Sequence, residues 1–246
     1  MKRLANKIAF VTGGSRGMGA AIVTKLAREG ATVIFTYVKG AAAAEALIAA
    51  LQEEGLDVAS RPADSADPVS LVNTINEVAA TYGRIDILVN NAGIYVAKAF
   101  EDYTLEDYEA TMAINTRAVF VGTQAALRHM PEGGRVITIG SCMADRVVGS
   151  HGTLYSMSKS ALTAFNKGLA RDLGSRGITT NLVQPGPVDT DMNPADGPFS
   201  DFQRQHIALG HYGTAKDIAE LVAFLAGPDS GYITGTALTI DGGTNS

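Results

Sequence analysis

The chain has 246 residues, of which 46% are hydrophobic and 18% charged, so it can fill an extensive core and is too apolar for a disordered chain. The net charge is −5, and no run of lysine and arginine offers the clustered cations that a nucleic-acid backbone requires. We therefore expect an ordered globular protein that binds no nucleic-acid polymer.

One cysteine, Cys142, excludes an internal disulfide, and neither a CxxC pair nor a His/Cys cluster indicates a metal site. The N-terminus is basic, but Lys7 interrupts the apolar run that follows, whereas a signal peptide has an uninterrupted apolar segment there. No apolar run approaches the roughly 18 residues that a membrane-spanning helix needs. These features predict a cytoplasmic protein without a membrane partner.

Short runs rich in β-branched and aromatic residues alternate with longer runs of helical periodicity. The predicted strands, in chain order, are KIAFVT, TVIFTY, DVASRPA, IDILVN, RVITIG, TTNLVQ and ALTID. The predicted helices cover residues 17–29, 41–55, 67–82, 105–129, 155–173 and 215–226. This alternation predicts an α/β fold, a Rossmann-like doubly wound sheet of about seven mostly parallel strands with helices on both faces.

No linker, composition break or repeat divides the series, so residues 1–246 are predicted to form a single domain. One segment, Pro185 to Gln205, is different because proline, glycine and aspartate defeat any continuous periodicity. We interpret it as a candidate substrate lid, and an exposed connection is the alternative.

The stretch TGGSRGMG, Thr12 to Gly19, directly follows the first strand and opens the first helix. In this context Gly13 suits a tight turn, Gly17 a close approach of the backbone to phosphate, and Gly19 close packing of helix on strand. The N-terminus of a helix also favours negative charge. The turn therefore predicts a bound dinucleotide, although glycines also serve purely structural turns.

The end of the second strand bears on which dinucleotide is bound. NAD-binding proteins commonly carry an acid there for the ribose 2′-hydroxyl, whereas a 2′-phosphate favours arginine. Here Tyr37 stands near that position, the first carboxylate is Glu45, and Arg16 and Lys39 offer positive charge. NADP(H) is predicted over NAD(H), chiefly because the acid is missing; Arg16 as a mere surface charge is the alternative.

The stretch GTLYSMSKSALTAF places Tyr155 and Lys159 one helical turn apart, on one face. A tyrosine has a pKa near 10, and a neighbouring ammonium favours the phenolate, which makes the phenol a better acid–base at neutral pH. Such a pair is common, and it becomes informative only with Ser141, fourteen residues upstream of Tyr155 after the fifth strand.

The chain also carries NNAG at residues 90–93, INT at 114–116 and QPG at 184–186. With TGGSRGMG and the Ser141, Tyr155 and Lys159 set, these motifs resemble the classical short-chain dehydrogenase/reductase family, in order and over practically the whole chain. The resemblance implies a carbonyl–alcohol oxidoreductase with a small-molecule substrate.

The resemblance assigns a role to each of four catalytic positions. Tyr155 would be the general acid in carbonyl reduction and the general base in alcohol oxidation, while Lys159 would lower its pKa and hold the nicotinamide ribose. Ser141 would polarise the substrate carbonyl, and Asn115 would hold a water in a proton relay. The structural alternative for Ser141 is a turn residue at the end of a strand. For Asn115 it is a buried amide that holds a helix.

The resemblance also places residues at the cofactor, with Asp64 contacting adenine; a helix cap is the structural alternative for Asp64. The implied cofactor-binding positions are Gly13, Ser15, Arg16, Gly17, Met18, Gly19, Tyr37, Asp64, Ser65, Asn91, Ala92, Gly93, Tyr155, Lys159, Pro185, Gly186, Val188 and Thr190.

Within the family, GGSRGMGAAI, RGITTNLVQPG and GYITGTALTIDGG resemble the branch of 3-oxoacyl-acyl-carrier-protein reductases, which implies a homotetramer. That branch carries a basic residue for its acidic partner where this chain has Glu132, although Arg176 remains. A free ketone or aldehyde is therefore favoured over a carrier-protein substrate.

A second resemblance leaves a different function open. MPEGGRVITIGS and VQPGPVDTDMNPADGP are similar to the branch of the family that contains a cyclic-di-GMP-binding mediator of biofilm dispersal. The alternative function is therefore a nucleotide-binding regulator with little or no turnover.

Overall fold

Seven parallel strands form one sheet in the computed structural model, which describes residues 2–246. The strands along the chain are β1 (Ile8–Val11), β2 (Thr32–Tyr37), β3 (Val58–Pro62), β4 (Ile87–Asn90), β5 (Arg135–Ile139), β6 (Thr179–Pro185), β7 (Val188–Asp189), β8 (Gly213–Thr214) and β9 (Ala237–Ile240). The sheet order is β3-β2-β1-β4-β5-β6-β9, and β7 and β8 pair separately. The predicted doubly wound, Rossmann-like sheet is confirmed.

Helices cover both faces of this sheet. They are α1 (Gly17–Arg28), α2 (Ala41–Glu53), α3 (Pro68–Tyr82), α4 (Leu105–Met112), α5 (Ala118–Leu127), α6 (Thr153–Leu173), α7 (Ser200–His206) and α8 (Ala215–Ala226). Alternate side chains of a strand point to opposite faces, so Val11 packs in the core beneath α1 and α8 while Phe10 packs beneath α3 and α5. Within residues 2–246, none of these helices has both the length and the apolar character needed to cross a membrane.

The helix predicted over residues 105–129 is interrupted in the structure. A π-helical turn, Ala113–Arg117, separates α4 from α5, and the Ala118 N–H donates to the Ala113 carbonyl five residues back. The side chain of Asn115, inside this turn, bonds to the backbone of Ile94 on another segment. Periodicity cannot reveal such a contact, and π turns of this kind often occur at functional sites.

The candidate lid, Pro185 to Gln205, contains more regular structure than the sequence predicts. Strand β7 lies near its start and α7 begins at Ser200. Between them, Thr190 and Asn193 exchange backbone hydrogen bonds, and an Asp189 carboxylate oxygen accepts from the Ala195 N–H at 2.9 Å. A two-residue strand and a two-turn helix are too short for a periodic signal, so pattern analysis missed both.

Candidate active site

The turn between β1 and α1 leaves the first N–H groups of α1 without a bond from the N-cap side chain, Arg16. Gly13 has a φ of +66°, which favours glycine, and a Cβ added at Gly19 would overlap the carbonyl oxygen of Gly13. Glycine at both positions thus lets the helix begin close to the strand. The open N-terminus is suited to an anion such as a phosphate.

The residues after β4 support this turn from below. The Asn91 side chain donates to the carbonyls of Thr12 and Gly13, both at 2.9 Å, and the Asn91 and Ala92 N–H groups donate to the Thr12 hydroxyl at 3.0 Å. Asn90 instead bonds to threonines of α5 and β5, so it supports the turn and does not face the glycine-rich loop. Sequence analysis missed Thr12, whose only signal is a polar residue directly after an apolar strand.

The glycine-rich turn lies beside the segment that follows β2. Ser15 contacts the segment after Tyr37, since its hydroxyl would lie 2.8 Å from a Cβ added at Gly40. The Arg16 guanidinium is 3.7 Å from the Asp191 carboxylate, and these side chains are 70% and 68% exposed. So exposed an ion pair is weak, which leaves Arg16 free to turn towards a ligand.

The predicted adenine-side residues lie after β3. Asp64 is exposed and accepts from the Ala66 N–H at 2.8 Å, whereas Ser65 is buried. The cap of α3 is Asp67, whose carboxylate accepts from Val69 and Ser70. The alternative interpretation of Asp64 as the helix cap is therefore wrong.

The predicted nicotinamide-side residues form the opposite wall. Pro185 ends β6, and a Cβ added at Gly186 would lie 2.6 Å from the Cα of Asp241, so the backbone there is closely packed. Val188 is buried in β7, and the Thr190 side chain would lie 3.5 Å from a Cβ at Gly17. The start of the candidate lid thus faces the glycine-rich turn. Met18 lies in α1, where it packs against the core.

The four predicted catalytic residues come from the carboxyl side of the sheet. Tyr155 and Lys159 lie in the first two turns of α6, Ser141 follows β5, and Asn115 lies in the π turn. Lys159 is only 4% exposed, and its ammonium donates to the Ile139 carbonyl at 2.8 Å. A Cβ added at Gly93 would lie 3.4 Å from both the Lys159 Nζ and the Asn115 Oδ1. The structure thus brings Lys159, Asn115 and Gly93 together.

Asn115 is connected to the catalytic helix through a residue that sequence analysis missed. Its amide nitrogen donates to the Ser158 hydroxyl at 3.0 Å, and this hydroxyl donates to the Tyr155 carbonyl at 2.7 Å. Asn115 and Ser158 are both fully buried. The only sequence signal for Ser158 is its position directly before Lys159.

Burial sets the proton affinities of the pair. It raises the pKa of Tyr155 to about 12, with the Ser141 side chain acting in the opposite direction, and it lowers the pKa of Lys159 to about 8. The Lys159 Nζ bonds to Ile139 and lies 5.8 Å from the centre of the Tyr155 ring. The predicted lowering of the Tyr155 pKa by Lys159 is therefore wrong for the protein without a ligand, because desolvation dominates.

Two other polar residues near the site, Cys142 and His151, have structural explanations that need no catalytic role. Burial raises the pKa of the Cys142 thiol to about 11, so it stays protonated at neutral pH and serves packing. His151 has a φ of +66°, and its carbonyl accepts from the Tyr103 hydroxyl at 2.9 Å. Across residues 2–246 no three His, Cys, Asp or Glu side chains are grouped as a metal site would require.

A doubly wound parallel sheet whose first βα turn is glycine-rich and opens at a helix N-terminus defines a dinucleotide-binding α/β protein. The profile of the family described as enoyl-(acyl carrier protein) reductase matches residues 13–245. The chain belongs to the short-chain dehydrogenase/reductase family, a family of oxidoreductases.

Three similar proteins cover nearly the whole chain. The cyclic-di-GMP-binding biofilm dispersal mediator protein of Escherichia coli is 42% identical over 98% of both chains. A short-chain dehydrogenase of Burkholderia cenocepacia, solved in complex with NADP, is 53% identical with a TM-score of 0.98, over 99% of this chain and 100% of that one. A blue fluorescent protein from a metagenomic library, solved with NADPH, is 52% identical with a TM-score of 0.97 over the same shares.

The lowered pKa of Lys159 predicts a pH limit on oxidoreductase activity. Lys159 is cationic below a pKa of about 8 and neutral above it, so the rate should fall as the pH rises through about 8. The measurement is kcat/KM for the second substrate, at saturating cofactor, between pH 6 and 10. A profile that stays flat up to pH 10 would show that the charge of Lys159 is not required.

Proposed function

We propose that the protein is an NADP(H)-dependent oxidoreductase that interconverts a ketone or aldehyde and an alcohol. The observation that carries the proposal is the convergence of Tyr155, Lys159, Ser141 and Asn115 beside an open phosphate-binding turn. Tyr155 supplies an acid, Lys159 a buried cation and Ser141 a hydroxyl, which are the groups that reduction of a carbonyl needs.

The geometry of the cleft fits a nicotinamide dinucleotide. The uncapped N-terminus of α1 accepts a phosphate, and a side chain at Gly19 would overlap the turn that forms this cradle. Arg16 and Lys39 would hold the 2′-phosphate, and Asp64 the adenine. The cofactor, when bound, supplies the hydride.

In the proposed reduction Ser141 donates a hydrogen bond to the substrate carbonyl oxygen and orients it. Tyr155 then gives its proton to that oxygen as negative charge develops there. A pKa of about 12 keeps the phenol protonated at neutral pH, and an alkoxide is still basic enough to take the proton. Lys159 stabilises the negative charge left on Tyr155, and Asn115 holds the water that returns a proton.

The test of this proposal follows nicotinamide absorbance with NADPH and a panel of ketones and aldehydes. Tyr155→Phe keeps the ring but removes the proton donor, so it should bind NADPH normally and lose about 100-fold or more of kcat. Cofactor binding is measured separately, by the change in NADPH fluorescence.

Tyr95→Phe is the matched control, because the Tyr95 ring lies in the same cleft, edge-on to Tyr155 at 5.0 Å between centroids. This variant should keep turnover within a few-fold of the native protein. Turnover retained in Tyr155→Phe would contradict the assigned role of Tyr155.

A nucleotide-binding regulator is the second candidate function, favoured by 42% identity to the cyclic-di-GMP-binding protein of Escherichia coli. A cyclic dinucleotide carries phosphates that the N-terminus of α1 could equally accept. Calorimetry with cyclic-di-GMP separates the two functions. Tight binding of cyclic-di-GMP, with no NADPH consumed in the presence of any ketone or aldehyde of the panel, would reject the enzyme function in favour of the regulator.

The preference for NADP(H) is proposed to depend on Arg16. Arg16→Ala removes a charged hydrogen bond to the 2′-phosphate, which NADH lacks, so kcat/KM for NADPH should fall about tenfold or more while that for NADH stays unchanged. Arg28→Ala is the matched control, since Arg28 is exposed on the same helix and pairs with Glu54. Equal losses with both cofactors in Arg16→Ala would contradict the assignment.

We propose a free small carbonyl compound, not a carrier-protein conjugate, as the substrate. Glu132 is exposed, and the Arg176 guanidinium donates to the carbonyls of Leu127, the last residue of α5, and Met130, three residues later. Arg176 therefore already serves the fold, and Glu132 would repel an acidic carrier protein.

We also propose a homotetramer in which one interface uses a groove between α4, α5 and α6. Phe120 and Tyr108 line this groove and are 52% and 42% exposed, and the Phe120 and Phe165 rings lie 6.2 Å apart. Exposed aromatic clusters of this kind are typical of protein interfaces.

Phe120→Asp should lower the mass of the assembly, because it would bury an unpaired charge in the interface. Light scattering after size-exclusion chromatography measures this mass, and circular dichroism confirms the fold. Phe100→Asp, an aromatic that is 73% exposed outside the groove, is the control. An unchanged mass in Phe120→Asp would reject this interface.

A further inference from the structure

The turn after β9, residues Asp241 to Asn245, is held rigidly by its own hydrogen bonds. The two carboxylate oxygens of Asp241 accept from the Gly243 and Asn245 N–H groups, both at 2.9 Å. The Thr244 hydroxyl donates to the Asp241 carbonyl at 2.7 Å, and Thr244 is 4% exposed. We call this segment the β9 turn; it can hold neighbouring segments in place because it is itself fixed.

The β9 turn is bonded to the segment that carries Ser141, about a hundred residues earlier in the chain. The Asn245 side-chain amide donates to the Cys142 carbonyl at 2.8 Å, and Arg146 donates to the Thr244 carbonyl at 3.0 Å. Cys142 is the next residue after Ser141, and the Ser141 hydroxyl accepts from the Met143 N–H at 3.2 Å. The Asn245 bond therefore reaches the short turn that orients the Ser141 hydroxyl.

The same turn also contacts the opposite wall of the cleft. The Ile240 carbonyl, at the end of β9, accepts from the Gly186 N–H at 3.0 Å, and the Gly242 carbonyl accepts from the Leu209 N–H at 3.0 Å. Gly186 lies on the predicted nicotinamide side, and Leu209 follows α7. The β9 turn thus fixes the Ser141 segment relative to the wall it must face.

We propose that Asn245 is a positioning residue for Ser141, acting through the Cys142 carbonyl. This inference rests on the proposed function, because it assumes that Ser141 bonds to the substrate carbonyl. The Cys142 carbonyl also accepts from the Asp145 N–H at 3.1 Å and the Arg146 N–H at 3.2 Å, so Asn245 supplies one of three bonds to it. Loss of the Asn245 bond, the shortest of the three, loosens the Cys142 peptide and with it the direction of the Ser141 hydroxyl. A misplacement of about 1 Å at a reacting centre can cost about 100-fold in rate.

The first test is a double-mutant cycle. Asn245→Ala should lower kcat/KM for the carbonyl about tenfold, less than a complete misplacement would, and leave NADPH affinity unchanged. In a Ser141→Ala background the same substitution should cost nothing further, because the group it positions is gone. Independent, additive losses from the two substitutions would overturn the proposal, since a merely structural role would lower activity in both backgrounds.

The second test needs no substrate. Hydrogen exchange of the amides in residues 142–146 should become faster in Asn245→Ala, while exchange in α1 stays as in the native protein. Asn245→Asp should behave like Asn245→Ala, because a carboxylate has the same size but cannot donate to a carbonyl. Asn73→Ala, an exposed asparagine of α3, is the control and should change neither exchange nor turnover. Unchanged exchange at residues 142–146 in Asn245→Asp would also overturn the proposal.

These outcomes separate failure of the inference from failure of the proposed function. If Ser141→Ala does not slow turnover, the proposed mechanism is wrong. If Ser141→Ala slows turnover and Asn245→Ala does not, the mechanism stands and only the role of Asn245 is rejected.

Discussion

The hydrogen bond from the Lys159 ammonium to the Ile139 carbonyl fastens the start of α6 to the carboxyl end of β5. An ammonium that is only 4% exposed has lost most of its hydration, and this loss lowers its pKa to about 8. The Ile139 carbonyl compensates for part of this lost hydration by accepting a hydrogen bond from the ammonium. The π turn with Asn115 and the chain at Gly93 both lie beside this cation, so the position of Lys159 constrains the geometry of the whole cleft.

The topology explains how residues so distant in sequence meet. Strands β1 and β4 are neighbours at the point where the sheet order reverses, so the glycine-rich turn and the NNAG segment end side by side. The Asn91 amide, bonded to the Thr12 and Gly13 carbonyls, holds this junction together. Strand β5 is the next neighbour of β4 and presents Ser141 at the same edge. A parallel sheet thus supplies the common edge, and side-chain amides fix the local spacing.

Local patterns were sufficient to predict the seven strands of the main sheet, the glycine-rich turn and the segments that carry the proposed site. They could not predict features that depend on contacts between distant residues. The π turn depends on the bond between Asn115 and Ile94, and the bond between Asn245 and Cys142 joins segments about a hundred residues apart. The pKa of Tyr155 depends on burial, which no spacing reveals. By residue type, Asp64 and Asp67 are equally good candidates for the helix cap. Only the backbone geometry shows that Asp67 is the cap.

Burial also separates two proton affinities that start almost equal. Tyrosine and lysine have ordinary pKa values of about 10 and 10.4, yet here the phenol lies near 12 and the ammonium near 8. Desolvation disfavours the charged form of each group, and the charged forms are the phenolate and the ammonium. Lys159 is therefore the stronger acid of the two. The cationic Lys159 can then stabilise the phenolate that Tyr155 leaves when it gives its proton to a nascent alkoxide, which assists the proposed reaction in the direction of carbonyl reduction.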